Sequence, residues 1–145
     1  MLRQLFAAAT LVALSAPHLC ATSFEAPHGA VRVEVRGSGS SAEEIFLAKA
    51  GNSWIPALSA TSSTIHVKTA TGTQVCVLLA ASPIERGLLL TGDCGIGQFE
   101  QRVVQSAESD ILNVSTRLTI KANADVRSVE DRYTLSPRVM RQTAQ

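Results

Sequence analysis

Two cysteines in the second half of the chain have the types and spacing that most clearly suggest chemistry. The chain contains three cysteines, and Cys20 falls in a predicted export leader, which leaves Cys76 and Cys94 as an even pair. An even pair in an exported domain is typical of a disulfide. A redox-active pair would need the closer Cys-x-x-Cys spacing, which is absent here. We therefore predict a structural Cys76–Cys94 disulfide.

The residues between the two cysteines predict how they meet. Two apolar runs flank a turn centred on Glu85, which is equidistant from both cysteines. Apolar runs joined by a short turn are typical of a β-hairpin. The hairpin predicts three facing pairs: Cys76 with Cys94, Leu78 with Gly92, and Ala80 with Leu90.

A second interpretation of Cys94 is a catalytic nucleophile. The string Gly92-Asp93-Cys94-Gly95 resembles the nucleophile segment of the chymotrypsin-like cysteine proteases of some viruses. The resemblance covers only this turn and implies His66 as the general base. A sulfur held in a disulfide cannot attack a carbonyl, so the predicted bridge excludes this reaction.

The remaining polar residues suggest neither catalysis nor metal binding. The histidines outside the leader have no neighbour at the spacing of metal ligands. The acidic pairs Glu43-Glu44 and Glu130-Asp131 flank predicted strands, and we expect them to be solvated surface charges rather than the acid and base of a glycosidase. We therefore predict no catalytic residue, no metal site and no cofactor.

The first residues of the chain predict its compartment. Arg3 precedes an apolar run over 5–14, and the small residue Ala21 suits cleavage by a signal peptidase. The run has roughly ten residues, whereas a bilayer-spanning helix needs roughly 20. We therefore predict a removable leader over 1–21, a mature chain that begins at Thr22, and a secreted or periplasmic protein without stable membrane insertion.

The charge balance limits the partners. The chain carries 13 Lys and Arg residues against 12 Asp and Glu residues. Cleavage of the leader removes Arg3 and leaves the charges equal. A neutral domain is not attracted to nucleic acid, so we expect no nucleic-acid partner.

Alternation of apolar and polar residues predicts strands throughout the mature chain. The clearest case is 30–37, where Val31, Val33 and Val35 share one face and charged residues occupy the other. Similar short runs, separated by Gly, Ser, Asn and Pro, continue to about 135, without a strong amphipathic helix. This pattern predicts an all-β, immunoglobulin-like β-sandwich of about seven strands with one disulfide. A small β-barrel is the alternative, since strand patterns do not show whether a sheet closes.

The same pattern predicts the domain organisation. We expect a signal peptide over 1–21, an N-terminal extension over 22–29, the β-sandwich domain over 30–136 and a flexible tail over 137–145. The sequon at Asn113 would face outward and serve as a glycosylation acceptor only in a host that modifies such sites.

The function expected from these observations is an exported, non-catalytic binding or structural module, such as a surface or pilus subunit, an adhesin or an assembly accessory. We expect a protein partner and consider homo-oligomers. Val31, Val33 and Val35 form a candidate strand-exchange segment, with an ordinary strand of its own sandwich as the preferred alternative. Two other functions stay open: a secreted enzyme inhibitor that uses the loop at 83–87, and a small secreted hydrolase.

Overall fold

The computed structural model describes residues 21–61, 65–107, 109, 111–121 and 123–135. The predicted leader, except Ala21, and the predicted flexible tail lie outside these residues. The described part is all-β. Its strands are β1 (Thr22–Glu25), β2 (Val31–Arg36), β3 (Glu43–Ala50), β4 (Ser53–Thr61), β5 (Ile65–Thr69), β6 (Gly72–Val75), β7 (Val77–Ile84), β8 (Gly87–Asp93), β9 (Gly97–Gln105), β10 (Leu112–Ile120), β11 (Val126–Asp131) and β12 (Thr134–Leu135).

The strands form three antiparallel sheets. The first has the order β1-β2-β3-β4-β12, the second β10-β9-β8-β7, and the third β11-β5-β6. The predicted all-β sandwich is confirmed, and the sheets do not close into a barrel. The described strands number twelve rather than about seven. Short strands such as β1, in the predicted N-terminal extension, explain part of the difference.

The core lies where the inner faces of all three sheets meet. Val33 and Val67 are fully buried, as are Leu88 and Val103 of the second sheet. Because successive side chains of a strand point to opposite faces, the alternating runs bury one face of each strand. The buried cluster also includes Val35, Phe46, Ile65, Cys76, Leu78, Leu90, Cys94 and Phe99.

β9 shows the alternation most clearly. Its residues are alternately buried and exposed along most of its length, and Phe99, Gln101 and Val103 point inward. β9 is an interior strand because β8 and β10 pair with it on either side.

The β7–β8 hairpin carries the predicted disulfide. Cys76 and Cys94 are bonded and almost fully buried. Leu78 lies opposite Gly92 as predicted, but a bulge after Leu78 places Ala81, not Ala80, opposite Leu90. The centre of the turn therefore shifts from Glu85 to the peptide bond between Glu85 and Arg86. Arg86 has a left-handed φ of 62°.

Candidate functional site

A cluster of polar side chains joins all three sheets on the inner side of the sandwich. The residues come from strands that are distant in sequence and meet only through tertiary packing. We call them the polar cluster: Glu44 of β3, Gln101 of β9, Thr116 of β10, Asp131 of β11, and Tyr133 between β11 and β12.

Gln101 is the centre of the polar cluster and is only 1% exposed. The two hydrogens of its Nε2 are shared among three acceptors: Asp131 Oδ2 at 2.8 Å, Thr116 Oγ1 at 3.1 Å and Tyr133 OH at 3.3 Å. A buried amide is costly unless its hydrogen bonds are made. These bonds cross between strands, so the Gln101 amide links β9 to β10 and β11.

Glu44 is the buried acid of the cluster. It is 5% exposed, its Oε2 accepts a hydrogen bond from Tyr133 OH at 3.5 Å, and its Oε1 has no hydrogen-bond partner among the described residues. Burial raises the pKa of Glu44 to about 8, the negative charge of Asp131 raises it too, and the Tyr133 hydrogen bond lowers it. A large share of Glu44 is therefore protonated at neutral pH.

Tyr133 connects the polar cluster to the apolar core. Its hydroxyl also donates to Asp131 Oδ2 at 3.4 Å, so Glu44 and Asp131 share one phenolic hydrogen. Its ring meets Phe46 edge to face, with centroids 5.6 Å apart. Burial, followed by the nearby charge of Glu44, raises the pKa of Tyr133 above its ordinary value, so the phenol stays neutral.

The two acidic pairs have different environments. The prediction that both are solvated is wrong for Glu44, because its position on β3 points it into the sandwich beside Phe46. Glu130 forms ion pairs with Lys68 and Arg132. Hydrogen bonds from Lys68 and then Arg132 lower the pKa of Glu130 to about 2.

An apolar groove, which we call the groove, lies beside the polar cluster. It has a volume of about 230 Å³ and runs between the first sheet and β10, with Tyr133 in its wall. Glu44 is not among the residues that line it. The lining comprises Val31, Phe46, Leu47, Ala48, Ala57 and Leu58 on one side and Leu112 and Val114 on the other.

β10 borders the groove and is the edge strand of the second sheet. Among the described residues it pairs only with β9, without a register shift. Its apolar inner residues stay partly exposed, Val114 at 40% and Ile120 at 36%. An edge strand with unpaired backbone groups and exposed apolar residues is a template for pairing with another chain.

The hydrogen bonds at the two ends of β10 show which of its backbone groups have no partner among the described residues. Ser106 N–H donates to Ile111 O at 2.8 Å, and Lys121 N–H donates to Ile96 O at 3.0 Å. Bonded residues alternate along an antiparallel ladder. The odd-numbered residues of β10 therefore bond to β9, and the even-numbered residues from 112 to 120 direct N–H and C=O away from it. We call this row the open edge.

The other predicted residues lie apart from the groove, with one exception. Val33 and Val35 are core residues, whereas Val31 lines the groove. The candidate strand-exchange segment belongs to β2, which is paired on both sides within its own sheet, with β1 and β3. Asn113 is exposed on the outer face of β10.

Two further features of the described residues bear on function. They contain no group of three or more His, Cys, Asp or Glu side chains arranged to hold a metal ion. Nor do they include a helix with the length and hydropathy needed to cross a bilayer.

The polar cluster and open edge were not identified in the sequence. The sequence around Glu44 does not indicate that this side chain is buried. Its neighbours Asp131 and Tyr133 lie far along the chain, at the end of β11 and just after it. The sequence signal that indicates the apolar face of β10 is the period-two spacing of its apolar residues, which are Leu112, Val114, Leu118 and Ile120. Comparisons of the chain with family models, curated proteins and solved structures found no match.

Proposed function

We propose that this protein is an exported, non-catalytic β-sandwich that binds a polypeptide strand along the open edge. The proposal is carried by two features that occur together: backbone groups on β10 that have no partner in the described part of the chain, and an apolar groove on the inner side of β10. Such a surface suits an assembly or adhesion module, and its ligand is another protein.

Strand addition uses both parts of this surface. An incoming strand forms main-chain hydrogen bonds with the open edge, and every second side chain points toward the inner face. Those side chains approach Val114 and Leu58, on opposite sides of the groove. Burial of apolar surface contributes about 25 cal/mol per Å², so an apolar, alternating strand is the preferred ligand.

Export is supported by the leader pattern and by the disulfide. A buried Cys76–Cys94 bond is compatible with an oxidising compartment outside the cytoplasm. The bond lies at the end of the β7–β8 hairpin away from its turn. It therefore stabilises the sheet to which β10 belongs.

The polar cluster has one property of an acid–base site, because burial brings the pKa of Glu44 to about 8. We prefer a structural role because Glu44 is 5% exposed and does not line the adjacent groove. A general acid must come within hydrogen-bond distance of its substrate. The position of Glu44 therefore favours a binding protein over a hydrolase.

The inhibitor alternative depends on the β7–β8 turn. That turn contains only Glu85 and Arg86 between paired residues. Arg86 is further held by its side-chain bond to Ser106 O at 2.6 Å. So short a tip offers little chain for insertion into an enzyme cleft, which again favours the open edge as the binding surface.

Site-specific photo-cross-linking in an exporting host tests the proposal. A photoreactive residue replaces Ser115 on β10 or, as the matched control, Ser82 on β7 at the opposite edge of the same sheet; both serines are exposed. We expect a discrete polypeptide adduct from position 115 and none from position 82. Equal adducts from both positions, or none from position 115, would contradict the proposal.

A further inference from the structure

We propose that the strand received by the open edge is β10 of a second copy of this chain, paired antiparallel about a two-fold axis at Thr116. This inference rests on the proposed function and names its partner. It specifies a register in which residue 112 of one copy lies opposite residue 120 of the other.

The side chains of β10 are symmetric about Thr116. On its inner face the strand carries Leu112, Val114, Leu118 and Ile120, two on each side of the central threonine. The register pairs Leu112 with Ile120 and Val114 with Leu118. Every such pair is apolar, and the central pair is threonine with threonine, a combination that favours cross-strand contact.

The backbone of β10 supports the same register. The open edge consists of the even-numbered residues, and a two-fold axis at Thr116 brings even-numbered residues opposite one another. In an antiparallel ladder, a hydrogen-bonded pair exchanges both of its N–H···O bonds. A shift by one residue would place unpaired groups opposite groups already bonded to β9, so the symmetric register satisfies the full open edge.

The charges of β10 are compatible with self-pairing. Arg117 is the only charged residue of the strand, and the register places it opposite Ser115 of the other copy. Like charges directly opposite each other are therefore avoided. Each Arg117 also lies beside Glu100 of its own β9, which offsets its charge.

The consequence is a continuous sheet across two copies. In the residues that the structure describes, the second sheet of each copy has four strands and ends at β10. Pairing of the two β10 strands removes this exposed edge from both copies. Val114 and Ile120, which are 40% and 36% exposed, then lie beside apolar residues of the second copy.

Cysteine cross-linking tests the register. Asn113 and Thr119 are exposed, and the register makes them a non-hydrogen-bonded pair with Cα atoms about 4.5 Å apart. That separation lies within the range that a disulfide spans. Residue 113 of one copy and residue 113 of the other are separated by the length of strand from 113 to 119, which is about 20 Å at about 3.4 Å per residue. The two copies of residue 119 are equally far apart.

The double variant N113C/T119C, expressed as the full chain and oxidised, should give a covalent dimer that reductant separates. N113C alone and T119C alone are the matched controls and should stay uncross-linked. Absence of a covalent dimer from the folded double variant, or equal dimer from either single variant, would overturn the register.

Sedimentation of the unmodified protein gives a second, independent test. We expect a species of twice the monomer mass, a monomer for Val114→Lys, and a dimer for Leu79→Lys on the opposite edge of the sheet. A monomer at all concentrations would overturn self-pairing. If position 115 nevertheless cross-links to a different protein, the proposed function stands and only the identity of its partner is wrong.

Discussion

The Tyr133 hydroxyl lies 3.5 Å from Glu44 Oε2, although the two residues are 89 positions apart. This contact joins β3 of the first sheet to the chain that leaves β11 of the third. Gln101 of the second sheet donates to the same hydroxyl at 3.3 Å. One phenolic oxygen thus connects the three sheets beside the groove.

The first prediction concerns the pH dependence of stability. The pKa of Glu44 is raised from 4.5 to about 8, so between these values the folded chain holds a proton that the unfolded chain has released. The free energy of unfolding should therefore be highest near pH 4.5 and fall as pH rises toward 8, by up to about 1.4 kcal/mol per pH unit. Urea denaturation at several pH values measures this slope.

Glu44→Gln should remove most of that slope, because a neutral amide does not titrate. Glu43→Gln, at the neighbouring and more exposed position, is the matched control and should retain it. The low pKa of Glu130, about 2, affects stability only in acid, below this window. A wild-type slope in Glu44→Gln would show that Glu44 is not the group responsible.

The second prediction concerns the phenolic hydroxyl. Tyr133→Phe keeps the ring against Phe46 but removes the hydrogen bond that lowers the pKa of Glu44. The loss should cost about 1 kcal/mol of stability and move the upper end of the pH transition to higher pH. The same denaturation series measures both effects, and an unchanged transition would argue against a Tyr133–Glu44 bond.

The strands could be predicted from the sequence where alternation is strong. Val31, Val33 and Val35 gave β2 because one face of that strand is charged. β1 was not predicted as a strand, because Phe24 is the only apolar residue of this four-residue segment and 22–29 was expected to be an extension. The register of the β7–β8 hairpin was correct at Leu78 and wrong at Ala80, because nothing in the local pattern identifies the bulge.

The polar cluster could not be predicted for a different reason. An acidic residue is expected at the surface, and the sequence around Glu44 gives no contrary signal. Tyr133 reaches Glu44, and Gln101 reaches Tyr133, only after three sheets have packed. The open edge is likewise a property of sheet order, because alternation in β10 does not show which strand pairs with it.

The third prediction concerns the disulfide. Cys76 and Cys94 are separated by 18 positions, and closing a loop of that size contributes about 3 kcal/mol by restricting the unfolded chain. Replacement of both cysteines by serine should lower the free energy of unfolding by at least that amount, because two buried serine hydroxyls add a desolvation cost. Guanidinium denaturation of the variant and the oxidised wild type makes the comparison, and equal midpoints would contradict it.

The fourth prediction concerns Gly92. A Cβ at this position would lie 2.2 Å from Phe99 Cε1 and 2.2 Å from Val77 O, so the ring and the neighbouring strand would have to move. Gly92→Ala should cost at least about 1–3 kcal/mol through overpacking. Thr91→Ala, on the opposite face of β8, is the matched control and should cost less. Thermal unfolding of the two variants tests the difference.

Amide hydrogen exchange along β10, measured by NMR on the assembled native protein, tests the central claim most directly. If the open edge is occupied, the amides of Val114, Thr116 and Leu118 are protected together with those of the odd-numbered residues bonded to β9. Val114→Lys should then accelerate exchange at the even-numbered positions only. Rapid exchange at those positions in the assembled wild-type protein would contradict the claim that β10 receives a strand.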